Sequence, residues 1–539
     1  MKEFEVRIHK AKPSVLDLAH RRWVYVPYDR LTDKTGPLSE QSAKETGIVM
    51  MEALGKARRR PYHKKKLALI VAAQRQFALE QAARGAKVIF VFTRGDHADG
   101  LVEAQKQLGD REMTMMVGAE RELRLDVSRA RERGAHICES ADTTWLTTEE
   151  DFDNVYAADT KHYVMDRFYR AMRKKSGILM RGDKPLGGKF SFDAENRKPY
   201  RGKPMVPERP SFKPDTITAE ALELVGREFA DSFGTLDGFD LPVTARQAQT
   251  VWEFALAYLL PIFGPFEDAM SMRYPDLFHT KISATMNISL LLPRDVIADV
   301  ERAADAGRIP LPSAEGFIRQ VLGWREFMRH VHRATDGYRN IDAPRERGNA
   351  YTSAAPSALD ASRRLPAAYW GAKCGWNCVD TVVEQVMREG WSHHITRLMV
   401  LSNLATLCGF SPRELADWFW IAYIDAYDWV VETNVLGMGT YGDGGVTATK
   451  PYVSGSAYIN RMSDYCRGCK FDPKKATGED SCPFTALYWS FLERNAERLQ
   501  GNIRLAMPLI SLRKKSAQER EALRERADEA ISELESFRY

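Results

Sequence analysis

Short apolar runs and longer amphipathic stretches take turns over the first part of the chain. Trp23–Val26, Gly47–Met51 and Lys87–Phe92 are runs of strand length, rich in β-branched and aromatic residues. Between the last two, Lys66–Arg84 repeats its apolar positions at helical spacing and stops at Gly85. A helix over 98–108, a strand over 112–117, a helix over 120–132 and a short strand at Ala135–Cys138 continue the alternation. Strands separated by crossover helices predict a parallel sheet with helices on both faces, and such sheets bind ligands beyond the carboxyl ends of their strands. Neither G-x-G-x-x-G nor a P-loop occurs, so the usual loops for dinucleotides and nucleoside triphosphates are not used here.

The pattern changes after this. Residues 176–215 are rich in Gly, Pro, Lys and Arg, as in Gly182–Gly188 and Asn196–Pro204, which is the composition of a connector. From about 217 the periodicity is helical, with breaks expected at Pro261, Pro293, Pro312 and Pro412. Aromatic residues are dense there (Trp418–Trp420, Tyr423, Tyr427, Trp429) and read first as a helical core. The expected division is an α/β domain over 1–140, a linker over 141–216 and an all-α domain over 217–512. A charged amphipathic helix over 513–539 is expected at the periphery. No internal repeat is visible.

Composition narrows the class. A chain of 539 residues, 44% hydrophobic and 28% charged, holds two or more ordinary folded domains. No apolar run has the length of a membrane span, since Leu256–Phe263 is short and contains Pro261. Met1–Glu5 is charged with no apolar stretch behind it, so no secretory signal is expected and a cytoplasmic protein follows. A net charge of +5 permits nucleic-acid binding without demanding it.

The cysteines carry more information than the charge. Cys466-x2-Cys469-x12-Cys482-Pro483, with Cys378 upstream, gathers soft thiolates suited to an iron–sulfur cluster. Zinc stays open, because Cys374-x3-Cys378 with Cys466-x2-Cys469 could make a four-sulfur tetrahedral site. Disulfides rank last, seven cysteines being few and odd in number. His393-His394 is the second signal. Two neighbours on one helix point about 100° apart, so both line one pocket only if it wraps the helix.

Several separate stretches resemble one family. They are Phe168–Met172 with Phe192–Pro199, Gly323–Phe327, His393–Arg397, Asn434–Met438, Thr449–Tyr452, and Tyr458–Cys466 running on to Cys482–Trp489. Together they resemble the bacterial photolyases and cryptochromes that carry an iron–sulfur cluster, the prokaryotic (6-4) photolyase group. The likeness covers nearly all of 160–495 and is weaker in the first 150 residues. It implies a Rossmann-like antenna domain, a long linker and a helical FAD domain with a 4Fe–4S cluster.

The resemblance also implies roles. The cluster ligands fall on Cys378, Cys466, Cys469 and Cys482, leaving Cys138 and Cys408 as buried thiols. His393, His394 and Tyr452 would act at a DNA lesion, with Tyr458 and Met438 lining its pocket. A (6-4) lesion has moved a hydroxyl or amino group between pyrimidines, so its reversal needs proton transfer, which suits histidine. His279, Thr280, Lys281, Ile282, Ser283 and Asn287 would hold FAD, with Lys281 adding positive charge at the pyrophosphate. Arg397 and Asp425 would lie near its isoalloxazine. Trp370 and Trp418 match an electron route to the flavin, where Phe419 stands in place of a tyrosine and Tyr423 and Tyr427 are alternatives. Trp324 and Trp391 read as core.

The partner would be UV-damaged DNA, bound by a monomer that associates with the nucleoid. Lys450, Arg461, Arg197 and Lys198 are candidates for its phosphates. The family's antenna, 6,7-dimethyl-8-ribityllumazine, is the weakest match. Tyr28–Leu31 replaces a Gly-Asp-Gln-Leu-like segment, and Lys56 stands in a basic run, Lys56–Arg60, where an acidic residue is expected. Glu52 and Tyr62–Lys66 keep their family form. Two other functions fit parts of the pattern: a blue-light receptor without repair, and a non-enzymatic iron–sulfur protein that binds nucleic acid.

Overall fold

The computed structural model describes residues 2–341, 345–346 and 353–536. Five parallel strands form the sheet: β1 Arg22–Tyr25, β2 Thr46–Ala53, β3 Lys87–Thr93, β4 Met113–Met116 and β5 Ile137–Ser140, in the order β3-β2-β1-β4-β5. Each overlaps a run expected from the sequence. Thr46–Glu52 of β2 is buried throughout, as in a parallel strand covered on both faces. The helices Lys64–Ala83, His97–Leu108 and Arg121–Glu132 make the crossovers. The second begins at a capping box, Asp96 with Asp99, which satisfies the free N–H groups of its first turn. Two short helices, Glu3–His9 and Val15–His20, precede β1 and are too brief for periodicity to reveal. The chain leaves β1 for β2 on one side and comes back to β4 on the other, so the switch point lies between β1 and β4.

Cys138 corrects one expectation. It is exposed, because β5 is an edge strand paired with β4 alone. Cys408 is buried as expected.

The connector is anchored rather than loose. Arg173, fully buried, donates to the carbonyls of Ile178 (3.1 Å), Leu179 (2.6 Å) and Phe190 (2.9 Å). Further on, Asn196 Nδ2 donates to Glu267 Oε2 at 3.1 Å and to the Pro312 carbonyl at 3.2 Å. These bonds seat the segment against the helices that follow.

Pro293, Pro312 and Pro412 open helices, at Pro293–Asp305, Leu311–Ile318 and Pro412–Ala422, where a missing N–H costs nothing. Pro261 is no break: the chain stays helical through it, because a π-helical turn over Ala255–Leu259 places it in the first turn of Leu260–Phe263. Three more π-helical stretches occur, at Arg319–Arg325, Arg397–Ser402 and Glu432–Gly439. The C-terminal segment also differs from expectation. It divides into Ala506–Arg513 and Ala517–Ser536, and the second helix packs on Pro483–Arg494 with Leu523, Ala527, Ala530, Ile531 and Leu534 buried. It belongs to the helical core, not the periphery. Residues 537–539 of that prediction lie outside the described residues. Among the described residues, no helix is long and apolar enough to cross a membrane.

Candidate functional site

A cavity of about 320 Å³ opens among the helices after residue 260. Eleven of the residues read as flavin or lesion contacts line it: His279, Thr280, Lys281, Ile282, Ser283, Asn287, His393, His394, Arg397, Asp425 and Met438. Three π-helical stretches supply much of its wall, through Val321 and Trp324, Leu398 and Ser402, and Val435 and Met438. Wide turns of this kind recur at functional sites. Met438 lies in the last of these helical turns.

Asp425 is the hub. Arg397 grips it with two bonds, Nη1 to Oδ1 at 3.0 Å and Nη2 to Oδ2 at 2.9 Å. Ser283 Oγ donates to Oδ2 at 2.7 Å, and Asn287 Nδ2 to the Asp425 carbonyl at 2.9 Å. Arg397 is held again by the Ser392 carbonyl (2.7 Å) and by the face of Tyr423, 4.1 Å away. A forked guanidinium–carboxylate pair fixes direction as well as charge. Ser283–Asn287 is a short helix whose first turn faces the cavity, as expected. Lys281 corrects the charge argument. Its ammonium is paired with Asp276 (2.8 Å) and Glu389 (2.9 Å), so it adds no uncompensated positive charge.

The two histidines are not on one helix. His393 is an extended N-cap, and His394 is the first residue of the helix it opens. Their ring centroids are 6.2 Å apart at 68°. His393 instead stacks on His279, at 4.4 Å and 7°. Burial, then the neighbouring imidazoles, hold both His279 and His393 neutral, with pKa values well below the usual range. His394 differs: its side chain is 42% exposed, and its Nε2 lies 3.6 Å from Asp268 Oδ1. No local pattern in the sequence marks Asp268.

Tyr452 and Tyr458 stand outside the cavity lining. Burial, then Asp268, raises the Tyr458 phenol, and Arg461 lies 5.7 Å over its ring. Burial also raises Tyr452, which feels Arg504, Asp193 and Arg197. Tyr458 thus shares Asp268 with His394, and Tyr452 connects to that side only through Arg197, which lies 3.8 Å from Asp268. Within the wall, His279 Nε2, both ring nitrogens of His393 and Trp391 Nε1 are buried with no protein partner. Buried polar atoms are normally paired, and a flavin offers acceptors and donors to groups so placed.

Trp418 is buried and its ring meets Phe419 at 5.1 Å, while Phe419 lines the cavity. Phe233 touches both Trp370 (5.9 Å) and Trp418 (6.4 Å), giving an aromatic file from a half-buried indole to the cavity. Tyr423 stacks beside Phe419 at 5.1 Å. Tyr427 lies on the other side, against Tyr28.

A second, smaller pocket gathers Cys378, Cys466, Cys469 and Cys482. Its other lining residues include Trp376, Tyr465, Phe471 and Phe484, and no carboxylate is among the described residues that line it. Cys378 is in the first turn of Asn377–Glu389, and Cys482 is the N-cap of Pro483–Arg494. Burial and the neighbouring thiols push Cys378 well above the usual thiol range and Cys482 up to about 12. Such a set becomes four thiolates when a bound cationic centre compensates them. Cys374 is turned away, its thiol 3.1 Å from Asp380 Oδ1.

The comparisons with known proteins agree with this layout. The family described as deoxyribodipyrimidine photo-lyase-related protein matches residues 24–241, and the FAD binding domain of DNA photolyase matches 317–475. A (6-4) photolyase of Agrobacterium fabrum is 37% identical over 520 residues, 94% of this chain and 98% of that protein. An uncharacterized protein of Acanthamoeba polyphaga mimivirus is 33% identical over 103 residues, 19% of this chain and 76% of that one. In fold, the chain is similar to the crystal structure of a bacterial class III photolyase from Agrobacterium tumefaciens, with a TM-score of 0.52 and 14% identity over 96% of this chain and 98% of that one. A parallel-sheet domain joined to a helical FAD-binding domain, and a relative alike over nearly the full length of both chains, place this protein in the DNA photolyase family, within its deoxyribodipyrimidine photolyase-related branch.

Proposed function

We propose that this protein reverses (6-4) pyrimidine–pyrimidone photoproducts in UV-damaged DNA, driven by light, working as a monomer. The observation that carries the reading is His394 beside Asp268, opening on the same cavity as the Arg397–Asp425 clamp. When bound there in its reduced form, FAD supplies an electron on illumination. The chain's own residues do the rest. Arg397, Asp425, Ser283 and Asn287 form one fixed polar edge against which the ring system is oriented. His394 Nε2 gives a proton to the group that returns to its original pyrimidine and takes one back once the electron has left the restored bases, so the reversal is redox-neutral. Asp268 is the counter-charge of the imidazolium. His393, neutral and stacked on His279, positions His394 and keeps water from the inner wall. Tyr452 and Tyr458 receive the dinucleotide, which must leave the base stack, a step that a distorted lesion makes cheaper. Met438 packs between the two compartments.

The four-thiol pocket fits a 4Fe–4S cluster, which when bound would tie together three segments far apart in sequence. The division at 140, 216 and 512 is retained, except that the last helix counts with the helical domain on which it packs.

The decisive experiment is blue-light repair of an oligonucleotide carrying one (6-4) lesion. Restored thymines are expected; no reversal by a protein whose flavin is reduced in the light would leave the receptor function instead. DNA binding gives a further prediction. Arg197 is exposed at the rim, near Asp193 and Asp268. Arg197→Ala is expected to weaken binding evenly across sequences and to lower the slope of log affinity against log salt by about 1. Titrations at several ionic strengths would measure it, and an unchanged slope would remove Arg197 from the phosphate contacts.

A further inference from the structure

We propose that this chain has lost the antenna site of its family: Tyr28, Lys56 and Glu120 seal the crevice at the sheet's switch point, and the flavin alone collects light. The inference rests on the photolyase reading, which is what makes an antenna an issue.

A parallel sheet of this order offers one favoured ligand position, the crevice beyond the carboxyl ends of the strands where their direction of travel reverses. Here that place lies between β1 and β4. Tyr28 follows β1 and Glu120 follows β4, and the Tyr28 hydroxyl donates to the Glu120 carboxylate, bridging the crevice. Lys56, from the turn after β2, closes it from the third side. Its ammonium lies 2.8 Å from Glu120 Oε2 and 2.9 Å from Glu122 Oε2, and 5.3 Å over the Tyr28 ring. The opposite face of the site is taken by Tyr427, nearly parallel to Tyr28 at 6.4 Å, and by His97 at 5.1 Å. Tyr28 is 3% exposed and Glu120 1%.

Beside this bridge lies a cavity of about 70 Å³, against about 320 Å³ at the flavin site. It is walled mainly by the end of β2 and the helix Lys64–Ala83, through Met51, Leu54, Leu67, Ile70 and Gln74. Pockets that enclose a heteroaromatic ligand run from about 300 Å³ upward. A lumazine with its ribityl chain would have to expel the Tyr28 ring and break its bond to Glu120, a carboxyl that burial holds well above its usual pKa. It would also part Lys56 from the charged Glu122. A buried charge stripped of its partner is strongly unfavourable. The basic run therefore has a use other than ligand binding. Arg60 reaches Glu122 at 2.6 Å and lies 3.7 Å over Trp420 of the helical domain, so the rebuilt crevice joins the two domains.

The test uses the flavin-loaded protein and 6,7-dimethyl-8-ribityllumazine itself. Protein and lumazine are equilibrated at about 0.1 mM, a concentration that detects any affinity of use for light capture. The bound fraction is then read by fluorescence after ultrafiltration. Retention below about a tenth of an equivalent is expected, and one equivalent retained would overturn the proposal. The double variant Tyr28→Gly, Lys56→Glu removes the ring and restores an acidic group. It is expected to gain affinity by at least about tenfold. A variant that keeps its flavin and gains nothing would show that these side chains are not the seal. Should the double variant fail to fold, the unmodified protein still decides the matter. A purified chain without flavin would count against the photolyase reading and not against the sealed crevice.

Discussion

Replacing His394 by alanine is expected to lower light-driven repair by about 10²–10⁴-fold, the usual contribution of a placed acid or base, with flavin content unchanged. The ring is 42% exposed and makes no contact that holds the helix start, so its removal leaves no buried void. A surface change of this kind alters stability by about 0.5 kcal/mol or less. His393→Ala is the instructive contrast. That ring is 2% exposed and stacked on His279, so truncation opens a cavity in the wall itself. Its expected cost is roughly 2–5 kcal/mol, as for other buried rings, with weaker flavin retention. Asp268→Asn keeps the shape of the rim and removes the counter-charge. It is expected to slow repair by about fivefold, since a surface-near charge pair acts through about 1 kcal/mol. Repair yields per flash, measured on flavin-matched samples, separate the three. Full repair by the His394→Ala variant would remove the proton-transfer assignment.

What could be read in advance, and what could not, follows from the range of the forces involved. The sheet was legible because burial on both faces writes continuous apolar runs such as Gly47–Met51 into the sequence. The segment His279–Asn287, expected through resemblance to hold a cofactor, lines the cavity through His279–Ser283, Met286 and Asn287. Contacts between segments far apart left no such trace. Asp268 meets His394, and Glu389 helps to neutralise Lys281, across separations that no local pattern records. Backbone irregularity is also silent: apolar spacing does not tell the π-helical turns at Arg319–Arg325, Arg397–Ser402 and Glu432–Gly439 from α-helix, yet they shape the wall. The same is true of the final helix. Its charge suggested an outer position, but one apolar stripe through Leu523, Ala527, Ala530 and Leu534 was enough to dock it.

The cysteines allow the sharpest contrast, because two neighbours on the same stretch of chain face different ways. Cys378→Ser is expected to abolish iron binding and to yield little soluble protein. Serine presents a hard oxygen where soft thiolate is needed, and the three half-buried thiols left beside Trp376, Phe471 and Phe484 would stay protonated, one ligand short of a closed site. Structural metal centres of this kind contribute free energies on the order of 10 kcal/mol to the folded state, comparable with the whole stability of a domain. The effect should spread, since Cys378 starts the helix Asn377–Glu389 and Cys482 starts Pro483–Arg494, on which the C-terminal helix packs. Cys374→Ser is expected to keep its full iron and its broad visible absorbance. Its thiol meets Asp380, a bond that a serine hydroxyl can replace. Iron content and thermal melts of the two variants, side by side, test the ligand set directly. Loss of iron from both would restore the alternative in which Cys374 is a ligand, while full iron in both would remove Cys378 from the ligand set.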